Sequence, residues 1–273
     1  MVSRFKQIVE KAYEKHCILL EDAKADRALL ELAFDTFDDI KKRAKNKAAE
    51  VKPHLKDGML TLDDNIEDLT LFKVDSKYGP FTLIIDSVSD GDTVKGRWQE
   101  LNKTMIINLH NIFGFKSESN IGIDDEDEFV DDTVQSIYDE KSGMYVDAMY
   151  IDDYIGYLCD SWTFRIFLHE FTHLVDHSEK KHMYQPNREY NDRDAEKNAW
   201  FMTKMFDVTA QLINEYGKAL KDLTPEERLS FMKNKWNKDE HFMKYYNKLQ
   251  PKDQKRFLSR LYSYFSTDHW NNN

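Results

Sequence analysis

Apolar residues recur at spacings of three and four along the first 56 positions. Phe5, Ile8, Val9, Ala12 and Tyr13 obey this rule, as do Leu29, Leu30, Ala33, Phe34 and Phe37. Such a stripe belongs to helices that bury one face, and Pro53 and Gly58 end it. The pattern predicts a helical N-terminal segment over residues 1–60 that packs onto the remainder of the chain. From about 68 to 155 the period shortens. Leu69–Val74, Phe81–Val88, Thr104–His110 and Met144–Ile151 each read as strands, and Ser89–Asp92 reads as a turn. Together they predict a small sheet between helices.

Beyond 156 the helical pattern returns. Trp162, Phe164, Ile166, Phe167, Leu168, Phe171, Leu174 and Val175 make the stretch from Ser161 to His177 apolar nearly all round, as in a core helix. Thr224-Pro-Glu-Glu227 combines an N-cap Thr, Pro at the first helical position and Glu at the third. Pro251 opens a last helix through Phe265. The expected class is α+β, mainly helical, with a small mixed sheet packed on the helix from Ser161.

Composition narrows the picture. In 273 residues, 41% hydrophobic and 13% aromatic content with only 9 Gly and 5 Pro describes a globular chain. A net charge of -11 repels phosphate backbones, so no nucleic-acid partner is expected. No run approaches the ~18 apolar residues of a membrane span, so no membrane partner is expected either. Cys17 and Cys159 are too few and too far apart for a disulfide framework, which suits a reducing compartment. The first ten residues lack the apolar run of a signal peptide, and the expected location is cytoplasmic. The acidic run Asp124–Glu128 with Asp131 and Asp132 lacks the spaced ligands and central Gly of a calcium loop and reads as solvated.

The chemistry sits inside the apolar helix, at His169-Glu-Phe-Thr-His173. Residues at i and i+4 lie about 40° apart around a helix and ~6 Å apart along it. Both imidazoles can therefore reach one zinc ion, and Glu170 lies beside them as general base for a zinc-activated water. An uncompensated His and Glu in so apolar a helix would be costly. A third ligand is needed. His177 rises ~12 Å along the helix from His169 and points past the ion unless the helix breaks. Asp176 is either a hydrogen-bond acceptor for an imidazole or a surface acid at the helix end. A second helix beginning near Arg193 carries Glu196 beside the stripe Ala195, Ala199, Met202, Phe206 and Ala210, with Lys197 facing out. Glu196 can complete the set; Asp192, one turn earlier, is its rival.

HExxH succeeded by a second helix bearing Glu-x-x-Ala resembles the gluzincin group of zinc peptidases. His169–Asp176 with Asp194-Ala-Glu-Lys-Asn-Ala199 resembles the catalytic domain of the anthrax lethal factor family, which reads Glu-Ala-Glu-x-x-Ala there. The resemblance covers about residues 161–206 and implies that Glu196 is the third zinc ligand. It implies a zincin-like metallopeptidase domain over 61–273, in a bacterial or phage member of the group, that hydrolyses protein or peptide substrates. Here Asp194 stands for the family's first Glu. A transition-state oxyanion needs a further donor. Tyr190, just before the second helix, is preferred over His182 and Tyr184. Zincins hold the substrate backbone on an edge strand, for which Thr104–His110 is the candidate. The alternative function is a non-catalytic structural or partner-binding protein braced by zinc. Structural zinc sites are usually closed by four protein ligands, so His177 as a fourth would favour it.

Overall fold

A computed structural model describes residues 18–62, 65–87, 94–115, 134–139, 143–179, 194–218 and 222–266. The stripe over Phe5–Tyr13, the turn at 89–92 and the acidic run at 124–132 lie outside the described residues. The fold is α+β and mainly helical. The chain divides into two compact units, Phe34–Lys181 and the combination of Met1–Ala33 with His182–Asn273. Helix α1, Ile18–Val51, contributes its later part to the first unit and its earlier part to the second. It ends just before Pro53, at two successive 3-10 turns.

The Phe34–Lys181 unit holds two sheets. Strands β1 (Met59–Thr61), β7 (Met144–Tyr150) and β6 (Val134–Asp139) form an antiparallel sheet in that order. Strands β2 (Leu71–Ser76), β3 (Gly79–Asp86), β5 (Thr104–Asn108) and β4 (Gly96–Gln99) form a mixed sheet in the order β2-β3-β5-β4, with β3 and β5 parallel. Alternate apolar residues of β2, β3 and β5 are buried: Phe72 and Val74, then Phe81, Leu83 and Ile85, then Met105 and Ile107. This is the period of a strand with one covered face. Helix α4 (Ser161–Ser178) packs against β4 and β5. On its other side, Phe164 and Phe167 meet Phe37 of α1 at centroid distances of 5.3 and 5.0 Å. Fully burying each such ring contributes about 1.5–3 kcal/mol.

Three expectations change here. The run Thr104–His110 is not one strand. The Asn108 side chain accepts a hydrogen bond from the Asn111 backbone, caps a short helix α2 (Leu109–Phe113), and so turns the chain after five residues. Nor is that strand an edge, since β5 lies between β3 and β4. The outer strands are β2 and β4; the one beside β5 is β4, whose sequence Gly-Arg-Trp-Gln has no apolar alternation to announce it. Met144–Tyr150 is a strand as read, but Ile151 begins helix α3 (Ile151–Cys159).

The other unit is helical: α5 (Asp194–Tyr216), α6 (Pro225–Lys235), α7 (Glu240–Tyr246) and α8 (Pro251–Ser266), with the early part of α1. The capping box forms as read. Thr224 accepts from the Glu227 backbone at 3.2 Å, and the Glu227 carboxylate accepts from the Thr224 backbone at 2.7 Å. Arg228 is wholly buried and donates to the carbonyls of Leu223 and Phe265 at 2.6 and 3.0 Å, joining α6 to the end of α8. Arg260 of α8 is paired with Asp26 of α1, donates to Asn198 at 2.8 Å and lies over the Phe201 ring at 3.9 Å. Among the described residues no helix is long and apolar enough to cross a membrane.

Candidate metal centre

Asp160 opens helix α4 by accepting a hydrogen bond from the Trp162 backbone at 2.7 Å. Phe167, Leu168, Phe171 and Leu174, none more than 2% exposed, then anchor the helix and set its rotation. That rotation brings His169 and His173 out together, both half-buried. Their ring centroids are 5.0 Å apart with planes at 80°. This is the relation that one helical turn imposes on i and i+4. Glu170, between them in sequence, is 7% exposed.

Beside Glu170 runs the outer strand β4, and a missing side chain permits the approach. A Cβ on Gly96 would overlap Ile166 Cγ2 and lie 3.2 Å from Glu170 Cγ and 3.3 Å from Glu170 Oε1. The strand and the metal-motif helix can meet there only at a glycine. Nothing in the local sequence marks this glycine as different from one in a loop.

Glu196 lies in the first turn of α5 and is 8% exposed. The burial expected for it beside the apolar stripe is present, with Ala199 and Met202 fully buried. Lys197 does not face out as expected. It is drawn to Asp253 of α8, 2.7 Å away, with Asp194 at 3.7 Å. The imidazole nitrogens of His169 and His173 and a carboxylate oxygen of Glu196 all lie within 4.8 Å of one another. Two imidazoles and a carboxylate form a donor set suited to zinc, so these three residues could hold a metal ion.

His177 takes a different position. Its Nε2 lies 3.1 Å from Glu100 Oε1, in the turn after β4, and both side chains are about half-exposed. Asp176 is 3% exposed, which removes its reading as a surface acid. Asp192, Tyr190, His182 and Tyr184 lie outside the described residues. Trp162, expected in the core, is instead 45% exposed at the start of α4. No family model, curated protein sequence or solved structure matches the chain.

Proposed function

We propose that this chain is a zinc-dependent metallopeptidase acting on protein or peptide substrates in the cytoplasm. His169, His173 and Glu196 would hold the metal, and Glu170 is the general base. The observation that carries this reading is the grouping of those three ligand side chains within 4.8 Å, with the buried Glu170 next to the first histidine on the same helix. Bound zinc supplies Lewis acidity toward a carbonyl and makes water more acidic.

The residues of the chain supply the rest. Glu170 takes the proton of the attacking water and returns it to the leaving amine. Strand β4, in place of Thr104–His110, holds the substrate backbone. The Lys95 carbonyl accepts from the Asn108 amide at 2.9 Å. In an antiparallel ladder the bonding direction alternates, so the N–H and C=O groups of Gly96 and Trp98 point away from β5. An extended peptide can pair there, and at Gly96 no side chain separates it from Glu170. Tyr190 remains the candidate donor to the oxyanion.

The reading is tested on the purified chain supplied with zinc. Elemental analysis should find about one zinc per chain, and a mixture of peptides should be cut. Glu170→Gln should keep the zinc and lose the cleavage. A chain that takes up no zinc, or a Glu170→Gln variant that cuts as fast as the parent, overturns it.

A further inference from the structure

Strand β4 and helix α4 run side by side in the same direction. Lys95 lies at the Trp162 end, Gly96 opposite Ile166 and Glu170, and Glu100 at His177. The two ends of this strand–helix contact differ in charge. At the far end His177 and Glu100 pair with each other. At the near end the exposed Trp162 indole carries two cations: the Arg165 guanidinium at 4.8 Å and the Lys95 ammonium at 5.9 Å from its ring centroid. Lys95 is exposed, and among the described residues it has no carboxylate partner. Arg165 is itself buried beneath the ring, so in a chain of net charge -11 it is the exposed Lys95, beside an exposed aromatic, that offers a cation to solvent.

We propose that Trp162 and Lys95 form a subsite for an acidic side chain of the substrate, making the substrate class extended peptides with Asp or Glu at one defined position. This rests on the peptidase reading above. The indole offers a flat apolar seat for the side-chain methylenes, and the exposed Lys95 ammonium pairs with the carboxylate. The spacing sets the position. Trp162 precedes Glu170 by eight residues, ~12 Å of helix rise. An extended chain advances about 3.3 Å per residue. The acidic residue therefore lies three or four positions from the bond that Glu170 serves, on the side toward the start of α4.

The test uses the full-length chain with zinc and a set of fluorescein-labelled ten-residue peptides. One position at a time is set to Asp or to Lys. Binding is read by anisotropy on the Glu170→Gln variant, and cleavage is mapped by mass spectrometry on the unaltered chain. Binding should favour Asp over Lys by about fivefold, as for a partly exposed ion pair, at one position only, three or four residues from the mapped cut. Lys95→Glu should invert the preference there and leave the other positions as they were. Trp162→Ala should weaken binding of the Asp peptide without inverting its preference over the Lys peptide. Cleavage with no charge preference, or a preference that survives Lys95→Glu, overturns the subsite and leaves the peptidase reading standing. A preference that inverts as expected, in a chain that cuts none of the peptides, upholds the cation site as a peptide-binding site and overturns the peptidase reading.

Discussion

Three histidines on one helix separate by what each one touches. His169 and His173 share a face and stand 5.0 Å apart, while His177 is taken up by Glu100. His177→Ala should leave zinc content unchanged and cost less than about 1 kcal/mol of stability, since exposed pairs are worth little. Glu196→Ala should weaken zinc affinity by about 100-fold or more, because outer-shell partners alone are worth ~10–100-fold. Competition titration with a chelator measures both. If His177→Ala removes the metal, the helix bends after His173 and the ligand set is wrong. Zinc affinity should also fall as the solution is acidified, because only a neutral imidazole can ligate the metal. The pairing of the two histidines, with Glu170 between them, was legible in the sequence because i,i+4 geometry is local. The burial of Glu196 was legible from its place beside an apolar stripe. The partner of Lys197 was not, since Asp253 lies 56 residues away.

At the scale of elements, the contact between β4 and α4 is the feature most sensitive to change. Gly96→Ala drives a Cβ into Ile166, a β-branched side chain with little freedom on a helix. It should cost about 1–3 kcal/mol, as overpacking does. Thermal unfolding should show the loss, and adding Ile166→Ala should recover part of it. If Gly96→Ala melts with the parent, the strand does not approach the helix this closely. The capping box at Thr224 gives a second, local test: Thr224→Ala should cost about 1 kcal/mol. Its Glu227 has a carboxyl held below the usual range, chiefly by the hydrogen bond from the Thr224 backbone. A depressed carboxylate stabilises the fold above its unfolded pKa, and that stability is lost as pH falls through the folded value. The stability difference between parent and Glu227→Gln should therefore shrink below about pH 4.

Among the described residues of the whole molecule, two tyrosines are wholly buried, one in each compact unit. Tyr154 donates to the Leu69 carbonyl at 3.1 Å, and Tyr264 lies in the core of the helical unit. Burial pushes both hydroxyls far above the ordinary tyrosine range. Their raised values mean that the folded state keeps its protons while the unfolded state loses them. Stability is therefore intact below about pH 10 and falls as pH rises beyond it. Absorbance of ionised tyrosine should appear for these two only together with loss of the fold. Parent and Tyr264→Phe compared across that range should show a shallower alkaline decline for the variant. A Tyr264 that titrates in the folded chain near pH 10 would contradict its burial.

The sequence by itself determined the local features: helix caps, the paired histidines with Glu170, the apolar faces, and the α+β class. All depend on residues within a turn or a strand's length of each other, where spacing dictates geometry. Tertiary structure alone decided which strand is outermost, that Gly96 meets the metal-motif helix, that Trp162 faces solvent under two cations, and that Asp253 holds Lys197. Those depend on pairings between segments far apart in the chain. A four-residue polar strand such as β4 gains its conformation from its neighbour's hydrogen bonds rather than from its own propensities.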